Sequence, residues 1–164
     1  MIAINICYGY LKDIDESALM GQEKVTENND EQKVFMVNEN WYIEVSKINL
    51  KASIAEGVTI ETLKENIGHY ENSGLTNSNV CLKAFSSGNN VNFFENIKNL
   101  RAGDEIIYKK DEYKATYIVK FSGVIDYNDL SYLAQGEENL ITLITNIEND
   151  NRYLRCVQGV KENL

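Results

Sequence analysis

The chain has no proline among its 164 residues. Proline stiffens turns at little entropic cost, so every turn here must be made by other means. There is one histidine, His69, which excludes a histidine-rich metal centre. The three cysteines, Cys7, Cys81 and Cys156, are odd in number and form no CxxC pair, which argues against a disulfide framework and against a metal knuckle. Basic residues are scarce. The 16 Lys and Arg face 25 Asp and Glu, for a net charge of -9, and no basic patch stands out, so nucleic acid is not an expected partner. No apolar run approaches the roughly 20 residues a membrane helix needs. Met1 to Leu11 (MIAINICYGYL) is apolar but short. It reads either as the tail of a missing N-terminal membrane anchor or as a first helix packed on the domain, and it lacks the flanks of a signal peptide.

What remains is ordinary globular material. At 43% apolar, the chain can bury one core and form one domain. Residues 1–34 read as an N-terminal arm or linker, because Lys12 to Lys33 is polar and acidic. Residues 35–164 read as the domain, with a short strand at 34–37. Trp41 to Val45 and Leu50 to Ala55 have strand composition. Thr59 is placed to cap a helix over Ile60 to Asn66. Asn79 to Phe85 is an apolar strand. Val91 to Leu100 carries apolar residues at 93, 94, 97 and 100, a helical spacing. A turn at Arg101 to Asp104 precedes a strand from Glu105 to Tyr108. From Tyr113 to Ile125 the alternation puts Tyr113, Ala115, Tyr117, Val119 and Phe121 on one face. Asp126 to Glu138 is a polar connection with a helical turn at Asp129 to Leu133. The strand Leu140 to Thr145 stops at Asn146, a tight connection spans Ile147 to Asn151, and the next strand opens at Arg152. Many short strands between turn signals predict a closed β-barrel or a sandwich.

Five of these stretches, in order, resemble sortases, the cysteine transpeptidases of Gram-positive cell surfaces. WYIEVSKINLKASIAEG is similar to a Y-I-x-I-P-K-I strand followed by P-I-x-E-G, with the proline position held by Ser46. ETLKENIGHYENSG resembles L-x-x-G-x-GHY-x-x-S/T. NVCLKAF resembles GN-V-x-I-A-G-H, FFENIKNLRAGDEI resembles FF-x-L-x-x-L-x-x-GD-x-I, and TLITN resembles TLxTC before a loop and an arginine. The resemblance implies a mainly β fold, an eight-stranded sortase-type β-barrel with short helices, and no cofactor. It implies a place on the outer face of a Gram-positive cell membrane, with the membrane reached only through an N-terminal anchor. The modest 126–138 connection suits the class A or D pattern.

The chemistry the resemblance implies needs a thiolate to attack the Thr–Gly carbonyl of an LPxTG-type signal, a histidine to move protons, and an arginine for the oxyanion or the peptide. Here the cysteine position is Asn146 and the histidine position is Phe85. A carboxamide nitrogen is no nucleophile, and a phenyl ring moves no proton. Asn146 has an ordinary role as a turn residue, and Phe85 as a plug of the vacated site. Only Arg152 is retained. Arg155, three residues on, is expected on the opposite strand face. His69 belongs to the GHY stretch, not to the catalytic position. Cys81 and Cys156 lie in apolar strands and read as core residues. Glu137, Glu138, Asp126 and Asp129 read as solvated loop charges, and no metal is expected. The expectation is a degenerate, non-catalytic sortase-like protein that binds a sorting-signal peptide or a surface or pilus protein. Its groove would be lined by Arg152, Thr145, Ile144, Ala84 and Leu130. The alternatives are a working transpeptidase or hydrolase with atypical residues, and a structural partner of an active sortase.

Overall fold

The computed structural model describes residues 37–163. The expected arm at 1–34, the expected strand at 34–37 apart from its last residue, and Cys7 lie outside the described residues. Eight strands follow in order: β1 (Trp41–Val45), β2 (Leu50–Glu56), β3 (Ile67–His69), β4 (Asn79–Lys83), β5 (Glu105–Lys110), β6 (Tyr113–Asp126), β7 (Leu140–Ile147) and β8 (Asp150–Lys161). They close into a barrel in the order β1-β2-β3-β4-β7-β8-β6-β5. The β2–β3 and β4–β7 pairs are parallel, and the others are antiparallel. Closure leaves no free sheet edge. The mainly β, eight-stranded barrel implied by the sequence is therefore the fold.

The alternating apolar residues fill the interior. Ile43, Leu82, Ile106, Tyr117, Leu143 and Val157 are all fully buried in one cluster. Two tyrosines sit among them with partnered hydroxyls. The indole Nε1 of Trp41 donates to Tyr108 at 3.0 Å, and the Tyr113 and Tyr117 hydroxyls lie 3.4 Å apart. Desolvation by burial pushes both the Tyr108 and Tyr117 hydroxyls well above the usual phenol range. A helix α1 (Ile60–Glu65) links β2 to β3, and Thr59 caps it as expected, its Oγ1 accepting from the Thr62 amide. Without proline, turns are made by residues that tolerate positive φ: Asn49, Asp111 and Asn149 at φ 50°, 52° and 61°.

Three local expectations need correction. Val91 to Leu100 is not an α-helix. It is a run of turns ending in a 3-10 helix at Ile97–Asn99. The buried residues are Val91, Phe94, Ile97 and Leu100, a spacing of three that suits the tighter geometry. Phe121 does not share a face with Val119. A bulge between them shifts the β6–β8 register, so Phe121 leaves the barrel core for a second cluster outside it. Finally, the β7–β8 connection is tighter than expected, since Ile147 pairs with Asp150.

Gly68 marks a close approach that admits no side chain. A Cβ there would overlap the carbonyl oxygen of Gly57 and approach Leu63 Cδ2 to 2.8 Å. Gly57 itself takes φ +88° and donates to the His69 carbonyl at 2.9 Å. We expect Gly68→Ala to cost about 3 kcal/mol in urea unfolding, the upper end of overpacking. A loss below about 1 kcal/mol would show that the β2–β3 junction yields.

Candidate functional site

The site grows from the parallel pair β4 and β7, registered from Asn79 opposite Leu140 to Lys83 opposite Ile144. Alternation sends Val80, Leu82, Ile141 and Leu143 into the core and leaves Asn79, Cys81, Lys83, Thr142, Ile144 and Asn146 on the other face. Just beyond this ladder two hydroxyls tie the strand ends together. Thr145 Oγ1 donates to the Ala84 carbonyl at 2.7 Å, and Ser86 Oγ donates to the Asn146 carbonyl at 2.7 Å. Phe85 and Asn146 are thereby held at the same end of neighbouring strands. Phe85 is half-buried and Asn146 is exposed. One residue expected to line a groove does not. Ala84 is a core residue, because the alternation that points Lys83 outward points its neighbour inward. Thr145 is buried, with its hydroxyl in the strand clamp, and borders the smaller cavity described below.

A lid covers the far half of this face. The connection between β6 and β7 contains a 3-10 helix, Leu130–Leu133, capped by Asp129 accepting from the Ser131 amide. Tyr132 and Leu133 pack on the second cluster with Phe121, Ile125, Ile144 and Cys156. Leu130, expected in the groove, points to solvent at 67% exposure. Polar bonds fix the lid. Asn79 Nδ2 donates to the carbonyls of Tyr132 and Ala134, and Thr142 Oγ1 donates to Asn79 Oδ1 at 2.8 Å. Gln135 Oε1 accepts from the amides of Gly74 and Asn79, while its Nε2 donates to the Asn79 and Leu133 carbonyls. We expect Gln135→Ala to raise amide exchange across 130–136 about tenfold without a comparable change in β5. That matches the loss of about 1.4 kcal/mol of local protection. Uniform exchange would mean the lid is held by packing alone.

Asn146 stands between two cavities. One, of about 370 Å³, lies against Tyr127, Asn149, Asp150, Tyr153 and Leu154. The other, of about 210 Å³, lies against Ser86, Thr145, Glu95, Lys98 and Arg155. The two arginines differ in availability. Arg152 is a fork on Asp150, with Nε to Oδ1 at 3.0 Å and Nη2 to Oδ2 at 2.9 Å, and its side chain is 74% exposed. The same bonds hold the Asp150 carboxyl below the usual carboxylate range. Arg155 sits opposite Thr145 and makes no hydrogen bond or ion pair among the described residues. As expected from strand alternation, Arg155 lies on the other face of β8 from Leu154 and Cys156, and it reaches Asn146 only across the rim of the smaller cavity.

The sortase-domain family profile matches residues 43–158, most of the chain. The chain belongs to the sortase family. Solved structures agree. The sortase D5 transpeptidase of Clostridium perfringens matches with 28% identity over 75% of this chain and 78% of that one, at a TM-score of 0.68. Sortase C of the same organism, solved with the C-terminal cell wall sorting motif, matches with 25% identity over 75% and 70%, also at 0.68. Sortase A of Listeria monocytogenes shares the fold, with 19% identity over 76% and 87% and a TM-score of 0.69. No curated protein sequence matches the chain.

Measured against the sortase reaction, the described residues offer no thiol–imidazole pair. His69 is 1% exposed and clamped: Nδ1 lies 2.8 Å from Glu56 Oε1, and Nε2 lies 2.9 Å from both the Gly74 carbonyl and Ser73 Oγ. The Ser73–His69–Glu56 chain resembles a hydrolase triad in outline, but the ring is sealed by Trp41 at 5.5 Å between centroids, and Ser73 Oγ already accepts from the Cys81 amide. Both cysteines among the described residues, Cys81 and Cys156, are buried. Desolvation pushes the Cys81 and Cys156 thiols up to about 12. In a Cys7→Ser background, native protein at pH 8.5 should resist iodoacetamide, with both thiols reacting only in urea. The unfolded thiols ionise from about pH 8.5 while the folded ones stay protonated, so their contribution to stability is complete at neutral pH and falls between about pH 8.5 and 12. Rapid native alkylation would overturn the assignment. Among the described residues no group of three His, Cys, Asp or Glu is placed to hold a metal ion, and no helix is long and apolar enough to cross a membrane.

Proposed function

We propose that this sortase-family chain binds an extended peptide of the sorting-signal type without cleaving it. The observation that carries this is the β4–β7 end. The strands, the Thr145 and Ser86 clamps and the adjoining cavities are in place, while positions 85 and 146 hold Phe85 and Asn146. Neither residue can accept a proton or attack a carbonyl, and His69, Cys81 and Cys156 are sealed elsewhere. The solved sortase C relative holds a sorting motif, which supports a peptide as the ligand class here. The reading puts the chain at the outer surface of a Gram-positive cell, the working place of the family.

The test has two arms. Titration of LPxTG-type peptides by calorimetry is expected to show binding, and a fluorescent transpeptidation assay with glycine or lysine acceptors is expected to show no turnover. Turnover abolished by Arg152→Ala or Arg155→Ala would make this an enzyme with atypical residues. Absence of binding at millimolar peptide would discard the groove. A second reading has one observation in its favour: the lid covers the far half of the face. On that reading the chain is a structural partner of an active sortase or pilus subunit, retained in a pull-down from native cell wall extract.

A further inference from the structure

Lys83 is the unusual group on the peptide face. It is the last residue of β4, opposite Ile144, and alternation puts its side chain on the face that carries Asn146. Its residue is half-buried, yet it makes no hydrogen bond or ion pair among the described residues. Lys83 Nζ itself keeps some contact with solvent, so the ammonium is open to a carboxylate brought from outside the chain.

Among the described residues no acid of the surrounding elements supplies the match. On the same face β4 offers Asn79 and Cys81, β7 offers Thr142 and Ile144, and β8 offers Leu154 and Cys156. On β6 the neighbours are Phe121 and Ile125, and the lid contributes Tyr132 and Leu133. The acids at the rim are engaged elsewhere: Asp150 with Arg152, Asp129 with Ser131, and Asp126 with the Asn128 amide. The electrostatics agree with the geometry. Burial holds the Lys83 ammonium below the ordinary lysine range, and no neighbouring charge counters it. In a chain of net charge -9, a cation left without a carboxylate among the described residues stands out on the peptide face.

We propose that Lys83 binds a carboxylate of the peptide seated along β4 and β7, so that the groove selects ligands carrying an acid there. The inference rests on the peptide-binding reading above. The carboxylate has two sources, an acidic side chain within the peptide or the free C-terminus of a peptide already cleaved after threonine. Both present the same two oxygens to the amine. A charge-assisted bond in a partly desolvated site is the kind of contact that separates acid from amide.

Calorimetry on the full chain with three probes tests this: LPQT amide, LPET amide and LPQT free acid. At least one of the two acids should bind about tenfold more tightly than the neutral amide, a difference of about 1.4 kcal/mol. The preferred acid names the source. Lys83→Met should reduce the preference to within about twofold, and Lys83→Arg, which keeps the charge, should retain most of it. Equal affinity for all three probes overturns the Lys83 inference and leaves peptide binding standing. A preference that survives Lys83→Met also overturns it and assigns the charge to Arg155 or Arg152. Binding of none of the three overturns the peptide reading itself, and the Lys83 inference with it.

Discussion

Installing the family pair, Phe85→His with Asn146→Cys, is expected to leave turnover at least about a hundredfold below that of a working sortase assayed alongside, the cost of a missing oxyanion donor. The strand ends are well placed for the pair. The Thr145 and Ser86 bonds fix both backbones, so the nucleophile and the imidazole would arrive at neighbouring positions. What they would lack is the third group. Arg152 is spent on Asp150 through two bonds and points to solvent. Arg155 lies on the side of the smaller cavity, opposite Thr145, and not across from Asn146. Lys83 adds an unmatched charge two residues before the imidazole. Adding Asp150→Ala to the double variant frees Arg152 and should raise the rate. Full activity in the double variant would show that the rest of the site is intact and that only two side chains separate this chain from a transpeptidase.

The second large effect concerns stability. His69→Ala should destabilise the fold by about 4 kcal/mol, combining an emptied space with stranded polar partners. The ring fills a sealed place beside Trp41, and its two nitrogens engage Glu56, Gly74 and Ser73. Truncation strands the Gly74 carbonyl and the Ser73 hydroxyl, and it unties the loop after β3 from the rim of β2. At roughly 3 °C per kcal/mol for a domain of this size, the melting point should fall by about 12 °C. Glu56→Gln is the control. The Glu56 side chain is 48% exposed and can regain water, so its loss should cost only about 1 kcal/mol. If His69→Ala melts within a few degrees of wild type, the histidine is not a latch. Its clamped ring would then need another explanation, and the Ser73 hydroxyl beside it would become a candidate nucleophile to test by active-site labelling.

The sequence by itself determined the barrel, through the ordered blocks that resemble the family, and the identities Phe85 and Asn146 at two of its positions. Both are written in order and identity. Strand-length apolar runs alternate with turn residues, the motif blocks occur in sequence, and a phenylalanine and an asparagine cannot be mistaken for a histidine and a cysteine. Burial of Cys81 and Cys156 was legible too, because each lies in an apolar strand; the clamped burial of His69 was not, since its partners Glu56, Ser73 and Gly74 meet it only in the fold. The tertiary structure decided everything that depends on registration between strands distant in sequence. Whether Phe121 faces the core or the lid turns on one extra residue in β6. Such a shift costs little locally and reverses which face a side chain takes, so no local composition reports it. Ala84 and Lys83 make the same point from the other side. They are adjacent on one strand, and only the fold shows that the alanine belongs to the core while the lysine faces the peptide site, because only the fold shows which side of β4 the barrel encloses.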